Sequence, residues 1–173
     1  IITQRTDGYY PKHYGGIVVA QDATFLNYKK GVGFMKYRYE NYSYFSRCHF
    51  ISNNNNLPNA KFEGITAWAC NGIVVDDCTF DYQTTTNTTN DRFGITTTDN
   101  LNLIVRNKCK FNLLNQAISL GAGNYLNGSA TITDNLFEYN QIGINNLATS
   151  SMLATGNQFI GNSPAHQGIS IGG

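Results

Sequence analysis

The chain has 173 residues, 41% of them hydrophobic and only 13% charged, with a net charge of +1. This composition suits a single domain with a core and gives no electrostatic case for a nucleic-acid or anionic-membrane partner. Its longest apolar runs, such as GGIVVA (15–20), fall far short of the ~18 residues that a membrane span needs. Reading from the start, IITQRTDGYY has no methionine and no basic, apolar leader, so a piece of a longer polypeptide is expected. Six related segments follow in order: VVAQDATF (18–25), YFSRCHF (44–50), IVVDDCTF (73–80), IVRNKCKF (104–111), ATITDNLF (130–137) and MLATGNQF (152–159). Their final phenylalanines stand 25, 30, 31, 26 and 22 residues apart. After each comes a small residue and an aliphatic one: Gly31-Val32, Gly64-Ile65, Gly94-Ile95, Ala117-Ile118, Gly143-Ile144 and Gly168-Ile169. Three of these aliphatics follow their phenylalanine by seven residues, one by ten and two by fifteen; the two long intervals hold the inserts NNNNLPNAKFE and QTTTNTTNDR.

A period near 25, β-branched runs and turns rich in Asn and Gly predict a solenoid, each coil made of three short strands. Helical periodicity is nowhere sustained. Like residues should stack up the axis at the parallel-strand spacing of about 4.8 Å. Counting back from the phenylalanine, minus seven and minus five read as core (Ile73 and Val75; Ala130 and Ile132). Minus two, which holds Ala23, Cys48, Cys78, Cys109, Asn135 and Asn157, reads as an interior column. Minus four and minus three, including Asp22, Asp76, Asp77 and Asp134, should lie outside or on a bend. This is the pattern of an all-β, right-handed parallel β-helix of about six coils, filling residues 1–173 as one domain. Through its repeating GI, xIxxDNxF and trailing Asn positions the sequence resembles the pectate-lyase-like β-helix superfamily. In that fold an inward Asn at such a bend stacks its amide on those above and below.

Asp76 and Asp77 could be the acid and base of a glycan-cleaving site, but adjacent residues on an extended segment point apart. Their counterparts recur in coils that have no second acid, so a place in the repeat is favoured. None of His13, His49 and His166 sits in the Gly-His-Gly context that polygalacturonase-like members would show. In-register stacking sets Cys48, Cys78 and Cys109 slightly too far apart for unstrained disulfides, and buried free thiols are expected, Cys70 completing the four. Metal binding is disfavoured because His49 should face away from Cys48.

Function is better sought at the inserts, which precede the Ile65 and Ile95 strands and rise beside their outward faces. The resemblance implies that polysaccharide would lie in that groove. The outward residues should be Thr66, Trp68, Thr96 and Thr98, flanked by the asparagines of 53–56 (Asn54 among them), Lys61, Asp91 and Arg92. Trp68 could stack a sugar ring or pack beneath its loop. A calcium-dependent lyase would need several carboxylates and a base, and only Asp91 and Asp99 are near. No catalytic residue, metal ligand or cofactor is therefore assigned.

YRYENYSY (37–44) places four tyrosines in eight residues, either an adhesive surface or cover for an early coil. The glycosylation triplets beginning at Asn41, Asn87 and Asn127 are frequent by chance in so Asn-rich a chain. ATFLNYKKGVGFMKYRYENYSYFSRCHF and LPNAKFEGITAWACNGIVVDDCTF resemble β-helix regions of large secreted and surface proteins of Bacteroidetes, many of them type IX secretion cargo. That resemblance implies an extracellular or cell-surface location, further domains of the same parent chain, and secretion machinery as a partner. The expected role is a non-catalytic adhesin-like or glycan-binding module. The alternative is a fragment of a polysaccharide lyase or glycoside hydrolase using the groove beside the 53–63 and 83–92 loops.

Overall fold

The repeat is realised strand for strand in the computed structural model, which describes residues 2–3, 17–27, 30–35, 42–52, 62–68, 70, 72–83, 92–98, 102–121, 128–147 and 151–172. After β1 (Ile2–Thr3), the first coil consists of β2 (Val19–Gln21), β3 (Thr24–Leu26) and β4 (Lys30–Met35). The second holds β5 (Ser43–Ser46), β6 (His49–Ser52) and β7 (Phe62–Trp68), and the third β8 (Gly72–Asp76), β9 (Thr79–Tyr82) and β10 (Arg92–Thr98). The fourth holds β11 (Asn102–Arg106), β12 (Lys110–Asn112) and β13 (Gln116–Gly121), and the fifth β14 (Ser129–Thr133), β15 (Leu136–Glu138) and β16 (Ile142–Asn146). β17 (Ser151–Thr155), β18 (Gln158–Ile160) and β19 (Gln167–Ile171) form the sixth. Equivalent strands pair in parallel, giving one sheet β1-β4-β7-β10-β13-β16-β19 and two others, β2-β5-β8-β11-β14-β17 and β3-β6-β9-β12-β15-β18. The chain is thus an all-β parallel β-helix with three sheets around one core.

The core is organised by a column of rings. Phe25, Phe50, Phe80, Phe111, Phe137 and Phe159 stack face to face with centroids 4.6, 4.7, 4.8, 5.0 and 4.7 Å apart and planes within 12° of parallel. The GI pairs exist because of these rings. A Cβ on Gly64 would lie 2.7 Å from the Phe80 ring and 2.5 Å from the Gly94 carbonyl oxygen; Gly94 and Gly143 stand in the same relation to Phe111 and Phe159. In the second, third and fifth coils the glycine makes room for the phenylalanine of the next. The aliphatic that follows forms its own ladder, Val32, Ile65, Ile95, Ile118 and Ile144, every one at 0% exposure.

Between the first and second strands of each coil the backbone turns through the left-handed region. Asp22, Arg47, Asp77, Lys108, Asp134 and Gly156 occupy it with φ between 49° and 67°. Short polar residues and glycine tolerate that conformation best, which accounts for the recurrent aspartates without any catalytic role. Inside the same bend, Asn135 accepts the Cys109 N–H on Oδ1 (3.1 Å) and donates Nδ2 to the Val105 carbonyl (3.0 Å). Asn157 repeats this one coil on, taking the Asn135 N–H (3.0 Å) and donating to Ile132 O (2.7 Å). The cysteines perform the same task with sulfur. Cys109 Sγ takes the Cys78 N–H at 3.3 Å and points its thiol at Val75 O, and Cys78 Sγ takes the Cys48 N–H at 3.4 Å. Cys109 thus clips to both backbone groups of the coil before it as the asparagines do, whereas Cys78 takes the Cys48 N–H and points its thiol at Asp76 O of its own coil.

Two register expectations need correction. Coil four has one extra bend residue, since both Asn107 and Lys108 take positive φ. Leu103 and Val105 therefore face the core there, and Ile104, aligned with Ile73 by the phenylalanine count, instead pairs with Val74 and is half-buried. Asp76 is the second case. Rather than standing outside it is only 9% exposed, tied down by neighbours from the adjoining coils.

Candidate functional site

β7 and β10 lie side by side with Thr66 opposite Thr96 and Trp68 opposite Thr98. Strand alternation sends Ile65, Ala67, Ile95 and Thr97 into the core, so these four predicted residues share one outward face, where each is half-buried. Thr66 Oγ1 donates to Glu63 Oε2 (3.2 Å), leaving the hydroxyl oxygen able to accept from a ligand. Arg92 is committed elsewhere. Its backbone N–H and Nε both donate to Asn115 Oδ1 (3.2 and 2.8 Å), and its guanidinium carbon sits 5.1 Å over the Tyr82 ring. Burial there pulls its pKa below the usual arginine value. Asn54, Lys61, Asp91 and Asp99 lie outside the described residues, as do most of both inserts and Tyr37 to Asn41.

Sequence reading missed Phe93. It is half-buried in the outward row between Glu63 and Gln116, because the next residue, Gly94, faces inward toward Phe111 and Leu114. There is little signal for it in the sequence, since strict alternation carried back from Thr96 would turn Phe93 inward, and only the inward setting of both Gly94 and Ile95 brings it out. Along the axis the Thr66–Thr96 row continues into Ser119 and Asn145, which are only 8% and 6% exposed. Asn145 Nδ2 donates to Gln116 Oε1 (3.1 Å).

The acidic pair separates as strand geometry demands. Asp77 is exposed on the bend, while Asp76 accepts from Arg106 Nε (2.8 Å), Asn107 Nδ2 (2.9 Å) and Tyr44 OH (3.3 Å), joining three coils. Burial alone would raise the Asp76 pKa, but the Asn107 and Arg106 donors outweigh it and hold the carboxyl below its ordinary value. A carboxyl with a depressed folded pKa stabilises the fold above its unfolded pKa, near 3.9, and that contribution is lost as pH falls through the folded value. Asp76→Asn should cost about 1 kcal/mol at neutral pH and flatten the acid limb of a stability–pH curve measured by urea titration. An unchanged acid limb would mean that Asp76 titrates alike in folded and unfolded chains.

Cys48, Cys70, Cys78 and Cys109 are all free and buried, as expected. Burial raises the Cys48 pKa, and contact with the Cys109 thiol together with burial raises that of Cys78, so neither supplies a thiolate at neutral pH. A thiol reagent should find no reactive cysteine in the native chain and four after unfolding in urea. Among the described residues no group of three or more His, Cys, Asp or Glu is gathered to hold a metal, and no helix is long and apolar enough to cross a membrane. Set against family models, curated proteins and solved structures, the chain matches none.

Proposed function

We propose that the chain is a non-catalytic extracellular or cell-surface β-helix module, adhesin-like or glycan-binding, within a large secreted protein. The observation that carries this reading is the outward face of β7 and β10. There Trp68 and three threonine hydroxyls are half-open on a rigid parallel sheet, with no second carboxylate beside Glu63 among the described residues. An indole offers an apolar surface to a sugar ring while hydroxyls satisfy its polar edge, which is the usual composition of a small-molecule recognition face. The location at the cell surface and the role as type IX cargo rest on the sequence resemblance, and protease shaving of intact producing cells tests them. On a glycan array the chain should retain a subset of sugars that Trp68→Ala releases. A reducing-end and unsaturated-product assay on acidic polysaccharides provides the counter-test. Turnover that disappears on Asp91→Ala or Asp99→Ala would overturn this reading in favour of a carbohydrate-active enzyme.

A further inference from the structure

We propose that the hollow between the second bend of the fifth coil and the 161–166 loop of the sixth receives a primary carboxamide, the side-chain amide of an asparagine or glutamine, through the Asn140 N–H, the Phe137 carbonyl and His166 Nδ1. This site lies apart from the β7 and β10 face and does not rest on its reading.

The repeat shows what such a bend holds. At the first bend of the fourth and fifth coils, Asn135 and Asn157 of the following coil each take a backbone N–H and donate to a backbone carbonyl. At the second bend of the fourth coil Asn140 does the same, taking the Leu114 N–H on Oδ1 (2.9 Å) and donating Nδ2 to the Phe111 carbonyl (2.9 Å). One coil on, the corresponding groups are the Asn140 N–H and the Phe137 carbonyl. The residue due to clip them is Asn162, which follows Phe159 as Asn140 follows Phe137, but Asn162 is exposed. Ile160 pairs with Glu138 and Gln167 with Ile142, so the sixth coil spends residues 161–166 where the fifth needs only 139–141, and the longer loop carries Asn162 outward.

Beneath that loop is a cavity of about 210 Å³ walled by Phe137, Asn140, Phe159, Gly161, Ser163 and His166. Two polar groups of its wall are buried with no partner among the described residues: the N–H of Asn140, a residue 5% exposed, and His166 Nδ1. Buried donors and acceptors are rarely left so. A primary carboxamide meets every need of the wall. Its oxygen accepts the Asn140 N–H, one of its N–H groups donates to the Phe137 carbonyl as Asn140 Nδ2 does to Phe111, and the other donates to His166 Nδ1. A carboxylate only accepts, and would set its second oxygen against the Phe137 carbonyl. The volume, worth about seven waters at ~30 Å³ each, suits one amino-acid side chain.

Titration of the isotopically labelled full chain with L-glutamine and L-asparagine, against L-glutamate, L-aspartate and glucose, tests this at the Asn140 amide resonance. At least one amide should move that resonance downfield and saturate with a Kd on the order of 1 mM, about tenfold or more tighter than its acid counterpart. Acetyl-Gly-Asn-Gly-N-methylamide and its aspartate counterpart separate the two sources of the group. Tighter binding of the asparagine peptide assigns the site to a protein segment, and tighter binding of the free amide assigns it to a small molecule. His166→Leu should weaken the better ligand about three- to tenfold, with the rest of the amide spectrum showing that the variant folds. Unchanged affinity in that variant overturns the His166 contact. Equal binding of the acids, or tighter binding of glucose, overturns the carboxamide class. If no ligand moves the Asn140 resonance, the proposal is overturned, and a shift on Asn162→Ala alone would then show that the loop closes the site with its own asparagine.

Discussion

Phe111→Ala is expected to destabilise the fold by about 3–5 kcal/mol, read as a lowered midpoint in urea. Phe111 is fully buried, with Phe80 stacked on one face at 4.8 Å and Phe137 on the other at 5.0 Å. Its ring also fills the space left by Gly94, whose absent Cβ would lie 2.9 Å from it. The neighbours cannot collapse into the hole, because each is fixed by its own parallel strand. The site is also central. In a solenoid each coil touches only its neighbours, so a hole in the fourth coil weakens both interfaces that join the two halves. The variant should therefore broaden the transition as well as shift it. A midpoint shift worth less than about 1 kcal/mol would show that the ring stack is not the core.

Asn135→Ala should cost about 2–4 kcal/mol. The side chain is 3% exposed, and its loss strands the Cys109 N–H and the Val105 carbonyl, two buried backbone groups of the preceding coil. Asn135→Cys should recover a substantial part of that loss. In the coil before it, Cys109 at the same place already takes the N–H of Cys78 and points toward the matching Val75 carbonyl. Equal instability of the Ala and Cys variants would show that sulfur and amide are not interchangeable in this column.

Much of this architecture was legible because a solenoid repeats its evidence. One segment such as IVVDDCTF is ambiguous, but six of them fix which residues stack, and the Phe, GI and Cys/Asn columns all appear where the spacing places them. The slip in coil four arose because counting back from Phe111 cannot detect an extra residue inside the bend, and only the positive φ of both Asn107 and Lys108 shows it. Asp76 was misplaced for a different reason. Its burial depends on donors from coils thirty residues away in either direction, Tyr44 and Arg106, which no local pattern records. For the candidate site, alternation alone brought Thr66, Trp68, Thr96 and Thr98 to one face. It could not place Phe93, because Gly94 and Ile95 both face inward and strict alternation carried back from Thr96 would turn Phe93 into the core.

The bend column also has a consequence for assembly. In chain order its left-handed residues read Asp22, Arg47, Asp77, Lys108 and Asp134 before the neutral Gly156, so the sign of charge reverses at each of the first five coils. Arg47 already grips Asp22 through two nitrogens, at 2.6 and 2.9 Å. Exposed pairs of this kind add little to equilibrium stability. Their value is as a parity check on coils that are otherwise alike. A growing chain that skipped one inner coil would set aspartate against aspartate or cation against cation at the junction, whereas the correct order keeps neighbours opposite in sign from Asp22 to Asp134.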